Sequence, residues 1–236
     1  MPSATSTTLT YLFQSLNPYD TFDDATAWEG QLGAWRCILD KGRLQAIANS
    51  FNGEVPSDTL EPMLRSWEAV AYLREQHEIA FIRSDPAPRG AVGAGADSDS
   101  LDRIYVRRND SYPQPDDSFS LNPTVSRLLD VIGSYRRMRL DLVTALRELL
   151  ATLGQAAGRD LDAIQAEYNI DDRVLSVIRE LADRAGSPDG TTPPRYRGPE
   201  WQWMQEALRL VTLQAGRRSA EPPATRLVLE DFQTDL

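Results

Sequence analysis

A chain of 236 residues with 41% apolar side chains is long enough to bury a core without metals or disulfides, and too apolar to be disordered. Its net charge of −10 repels polyphosphates at long range, which argues against non-specific binding to nucleic acid or anionic membranes. The lone Cys37 excludes an internal disulfide, and no run approaches the roughly 18 apolar residues of a spanning helix. Residues 1–10 carry no positive charge and lead into no signal-like apolar run, so the expectation is a cytoplasmic protein.

After a polar start, Tyr11-Leu12-Phe13 reads as a short helix. Phe22-Asp23-Asp24 then opens a helix through Trp28, Leu32, Trp35 and Leu39, whose spacings alternate between four and three. Gly30 and Gly33 weaken it by about 1 kcal/mol each. Cys37 lies in its apolar run and reads as a buried, inert thiol. Residues 44–51 suggest a further short helix. Asp58 and Glu61 form a capping-box pattern before a long helix, with Leu60, Met63, Trp67, Val70, His77 and Phe81 on one stripe through roughly Arg83.

Residues 84–122 are expected to form a flexible loop or insertion. The small residues of 86–100 cannot cover apolar surface, and Ile104-Tyr105-Val106 is the only strand-like stretch. Gly90, Gly93 and Gly95 lack the flanking strand, helix and lysine of a phosphate-cradling loop. Pro123 then opens the strongest pattern in the chain, a helix over 124–153. Val125, Leu128, Ile132, Tyr135, Leu142, Leu146, Leu149 and Leu153 form its stripe, with Arg139 the one charge on it. A second line through Leu129, Leu140, Val143 and Leu150 demands more than one neighbouring helix, which makes this segment the expected scaffold. Two short helices follow at 161–168 and 172–184, then a second loop at 187–198. Pro199 opens a last helix through Trp201, Met204, Leu208, Val211 and Ala215. Leu227-Val228-Leu229 reads as a strand or a docking tail.

These elements predict an all-α fold, an irregular bundle of about six helices with long Gly/Pro-rich loops and at most short strands. A single domain over 1–236 is expected, because helices before residue 84 would hardly form a secure core without those after 122.

The chemistry is sparse. His77 is the single histidine, so the usual structural zinc sites are excluded, and no Gly-x-Ser-x-Gly elbow accompanies it. Acid pairs occur at Asp20 with Asp23 or Asp24, Asp160 with Glu167, and Glu180 with Asp183, the last suited to Mg²⁺ held through waters. Residues 161–178 have helix-turn-helix spacing, but the second helix begins Asp171-Asp172-Arg173, which turns carboxylates toward phosphate. Arg136, Arg137 and Arg139 crowd one turn beside Tyr135. With His77 they are the candidate ligand or partner contacts. No catalytic residue or cofactor is assigned, and metal ligation is left open.

The leading expectation is a non-catalytic helical protein–protein interaction or assembly factor that binds a protein partner or itself, with neither nucleic acid nor membrane as partner. The alternatives are a Mg-dependent all-α hydrolase acting on a phosphorylated substrate, and a helix-turn-helix regulator reading through 161–178.

Overall fold

The computed structural model describes residues 5–50, 57–84, 107–158, 160–184, 196–217 and 221–234. It replaces the all-α expectation with a mixed fold: among the described residues a five-stranded antiparallel sheet accompanies six α-helices. The chain divides into two units, Met1–Asp117 and Ser118–Leu236.

In the first unit the apolar residues alternate. Strand β1 (Thr5–Ser15) buries Leu9, Tyr11 and Phe13. A pair of residues, β2 (Asp20–Thr21), follows, then β3 (Trp28–Leu32), β4 (Trp35–Asp40) and β5 (Arg43–Ser50). Strand β4 buries Trp35, Cys37 and Leu39 while exposing Arg36 and Asp40, and β5 buries Leu44, Ala46 and Ala48. That is the period of two that a half-buried strand requires. Lys41 and Gly42 both take positive φ, 46° and 69°, the twist that a two-residue hairpin turn needs to set Leu39 opposite Leu44.

The stripe read as a helix over Trp28, Leu32, Trp35 and Leu39 therefore belongs to one face of a hairpin. Residues 28 and 32 lie on β3, residues 35 and 39 on β4, and Leu32 pairs with Trp35 across the turn. Gly30 occupies the missing inward position because the Trp28 ring folds over it, where a Cβ would collide. Residues 11–13 and 44–50, also read as helical, fall in β1 and β5.

Helix α1 (Leu60–Glu75) follows. It is shorter than expected, since Gln76 enters the left-handed region at φ 60° and its N–H returns to the carbonyls of Ala71 and Tyr72. His77 and Phe81 consequently leave the helix, and residues 79–83 form β6 (Ile79–Arg83) at the sheet edge. The sheet order is β3-β4-β5-β1-β6, and a two-residue strand β7 (Arg107–Arg108) pairs in parallel with β2. Leu60, Leu64, Trp67 and Ala71 of α1 join the inward sheet residues and Tyr112 in one hydrophobic cluster. The first unit thus has a core of its own, made of sheet and helix with Tyr112 rather than of helices.

The second unit matches the helical expectation more closely. It contains α2 (Pro123–Arg136), α3 (Leu142–Ala157), α4 (Leu161–Tyr168), α5 (Asp172–Asp183) and α6 (Gly198–Gly216). Side chains of Asn122, Asp141, Asp160 and Asp171 cap the first four by accepting from backbone N–H groups. Helix α3 touches α2, α4, α5 and α6, so the centre of this unit lies where the strongest pattern falls. Leu142, Leu146, Leu149 and Leu153 are buried there.

The tail docks as read. Leu227 bridges to Ile170, and Phe232 stacks on Trp203 with ring centroids 4.6 Å apart. The buried Gln214 amide donates to the carbonyls of Tyr168, Asn169 and Thr225, which joins the α4–α5 turn to that tail. Residues 86–100, the Ile104-Tyr105-Val106 stretch and loop residues 187–195 lie outside the described residues. Among those described, no helix is long and apolar enough to cross a membrane.

Candidate functional site

The helix expected to run unbroken over 124–153 is interrupted, and the interruption borders a cleft. Helix α2 ends at Arg136, Met138 swings to φ 54°, and Asp141 adopts extended geometry to cap α3. Thr144 donates to Asp141 from its N–H at 2.9 Å and from its hydroxyl at 2.7 Å. These bonds hold the Asp141 carboxyl below the usual carboxylate range. A strong N-cap thus starts a new helix direction, and one non-glycine residue absorbs the turn in the left-handed region.

The resulting elbow borders a cleft of about 610 Å³ lined by Tyr135, Arg136, Met138, Arg139, Leu140, Asp141, Leu142 and Trp201. Tyr135 is fixed from α6, where Gln205 donates to its hydroxyl at 2.7 Å. Trp201 stands one turn before Gln205 on the same helix. Two apolar side chains that folding would ordinarily hide are presented here: Met138 is 94% exposed and Trp201 40%. Arg136 and Arg139 supply positive charge at the rim. Among the described residues Arg139 makes no ion pair, and the one acid of the lining, Asp141, caps α3.

The four expected contact residues therefore separate. Arg136 and Arg139 come together at the cleft, while Arg137 lays its guanidinium back over Gly133. His77 lies in the first unit and is 4% exposed. Its Nδ1 sits 3.1 Å from Oδ2 of the buried Asp20, its Nε2 lies 3.7 Å from Glu75, and the Phe22 ring packs edge-on at 5.3 Å. A buried carboxylate must be hydrogen-bonded, and the pair pins the loop carrying β2 to the end of α1. Asp20 also borders a smaller hollow of about 300 Å³ with Phe13, Phe22, Lys41 and Tyr112.

Cys37 is fully buried, and burial pushes its thiol up to about 11, as an inert core cysteine requires. Among the described residues no group of three or more His, Cys, Asp or Glu side chains is placed to hold a metal ion. Glu180 and Asp183 are exposed on α5, and Asp160 caps α4. The exposed side of α5 shows Asp172, Glu180 and Asp183 against Arg173 and Arg179. Arg173 is itself bound to Asp171 at 3.1 Å and lies 3.6 Å from Glu230. Such a face is ill suited to a phosphate backbone.

Sequence reasoning missed Met138 and placed Trp201 on a buried stripe. A signal for the first was present: Asp141 stands three residues before Thr144, an N-cap pattern inside an apparently continuous helix. For Trp201, the signal was its place in the first turn after Pro199, at the end of a helix. Comparison with known proteins finds no matching family model, no matching curated protein and no matching solved structure.

Proposed function

We propose that this protein is a non-catalytic interaction factor whose helical unit captures a protein partner at the α2–α3 elbow. The observation that carries this reading is Met138. Its side chain is 94% exposed and its backbone is left-handed, so folding gains nothing from its apolar surface and bears a conformational cost of about 1–2 kcal/mol. Strain and exposed apolar surface concentrated at one place are characteristic of binding sites. Trp201 adds apolar surface to the same cleft, and methionine and tryptophan suit an interface because one adapts its shape and the other brings a large rigid ring. The cleft volume falls within the range of about 300–1,000 Å³ that sites for compact ligands and anchor side chains occupy.

Photo-crosslinking tests the reading. A benzophenone side chain placed at position 138 of the full chain in its native cells is expected to give one discrete protein adduct. The same group at Glu148, exposed on α3, is expected to give none. Equal labelling from both positions, or no adduct from position 138, overturns the elbow as the partner site.

A further inference from the structure

We infer that the hollow beside Asp20 in the first unit is a binding site for a small zwitterion of the α-amino acid class. Its ammonium meets Asp20, its carboxylate meets Tyr112 and Lys41, and an apolar side chain lies against Phe13 and Phe22. The inference stands on the sheet unit alone and does not rest on the elbow.

Hydrogen-bonding capacity left over in the hollow carries it. The lining of this space of about 300 Å³ includes Phe13, Asp20, Phe22, Asp23, Lys41 and Tyr112, aromatic rings interspersed with a few polar groups, as small-ligand sites have. The Asp20 side chain is 3% exposed. His77 and the Asn17 amide, at 3.1 and 3.4 Å, account for Oδ2. They leave Oδ1 with no donor among the described residues. Tyr112 is 2% exposed, and its hydroxyl accepts from the Gly42 N–H at 3.0 Å. The proton of that hydroxyl has no acceptor among the described residues. A phenol both donates and accepts, whereas a carboxylate only accepts. One buried donor and one buried acceptor therefore belong to the lining of a single hollow, although folding ordinarily satisfies such groups.

Lys41 adds a third group. It is the only lysine of the chain, and it makes no ion pair among the described residues. Its backbone sits at φ 46° in the hairpin turn, a position that asparagine, aspartate or glycine usually fills. A long charged side chain kept on strained backbone has a use beyond the turn.

The combination selects the ligand. A neutral apolar molecule would strip water from Asp20 and Tyr112 and return no partner. A simple anion would meet Asp20 and Asp23, and a simple cation would meet Lys41. A molecule carrying both an ammonium and a carboxylate answers each group with a charge-assisted hydrogen bond. The volume leaves room for one compact side chain beside the rings.

The test uses the full chain and isothermal titration with L-leucine and L-phenylalanine. Each is also titrated as its amide, which lacks the carboxylate, and as its N-acetyl form, which lacks the ammonium. Circular dichroism confirms that each variant is folded. At least one free amino acid is expected to bind with Kd below about 1 mM, and both of its capped forms at least about tenfold more weakly. Lys41→Asn suits the left-handed turn and removes the charge, so it should weaken the free amino acid by about tenfold. It should also narrow the advantage over the amide while keeping the advantage over the N-acetyl form. Lys41→Arg should restore part of the loss, and Tyr112→Phe should act in the same sense as Lys41→Asn.

Absence of binding to the parent at about 10 mM of either amino acid overturns the inference. Capped forms that bind as tightly as the free amino acid refute the zwitterion. Equal binding by the parent, Lys41→Asn and Tyr112→Phe refutes the hollow as the site. If Tyr112→Phe fails to fold, Lys41→Asn decides alone.

Discussion

In the sheet unit the chain's only histidine is enclosed with Asp20, and three aromatic rings, Phe13, Phe22 and Tyr112, close around one another at 5.1–5.9 Å. In the helical unit the opposite holds at the elbow, where Met138 and Trp201 face water beside two arginines. The first arrangement is explained by folding alone: a buried polar group is stabilising only when paired, and the pair joins β2 to α1. The second is not, since it leaves apolar surface wet and the backbone in the left-handed region. The contrast teaches where to look for function in a chain with little catalytic vocabulary. Polar chemistry turned inward and paired is accounted for by folding, and apolar surface turned outward on strained backbone is not.

The largest expected effect lies in the centre of the helical unit. Leu146 is fully buried on α3, the helix that touches all four others, so Leu146→Ala should cost about 2–5 kcal/mol in denaturant melts. A loss under about 0.5 kcal/mol would make α3 peripheral and remove the frame that holds the elbow.

Next comes the buried pair of the sheet unit. His77→Ala leaves Asp20 enclosed without its partner and should cost about 1–3 kcal/mol, while crosslinking from position 138 is unchanged. Loss of the crosslink with stability intact would break the division between an inward and an outward chemistry.

A smaller effect is expected at Asp141, whose cap starts α3. Asp141→Ala should cost about 0.5–2 kcal/mol. Because hydrogen bonds from Thr144 lower the folded pKa of this carboxyl, its contribution is complete above the unfolded value of about 3.9 and is lost as pH falls through the folded value. Parent and variant melts should therefore diverge above about pH 4 and converge in acid. Convergence toward neutral pH instead would show that the cap carboxylate is not what sets the elbow.

The two units also differ in how far they can be read from sequence. In the helical unit the step of three and four residues persists over whole helices, and caps and prolines mark the ends; Pro123, Asn169 and Gly158 each stand where α2, α4 and α3 start or stop. In the sheet unit two strands joined by the two residues Gly33 and Ala34 place 28, 32, 35 and 39 on one face, which imitates a helical stripe. The distinguishing features were local: a period of two from Trp35 to Ala48, blurred by Ile38 and Ile47 and interrupted by the Lys41-Gly42 turn, and two glycines within an apparent helix. Arg136 and Arg139 were legible as a basic turn, but their meeting with Trp201 was not, because it depends on where α6 packs. His77 was legible as rare and, from its place on the inner stripe, as a satisfied core or groove position, but its partner Asp20, 57 residues away in sequence, was not.

The smallest expected effect is the most direct test that Met138 serves contact rather than folding. Glycine adopts φ 54° without the side-chain penalty of about 1–2 kcal/mol, while its extra freedom in the unfolded chain returns about 0.4–1 kcal/mol. Denaturant melts of Met138→Gly should therefore match the parent or exceed it by up to about 1.6 kcal/mol. A loss greater than about 1 kcal/mol would mean that the methionine side chain supports the fold, and would contradict an elbow held open for a partner.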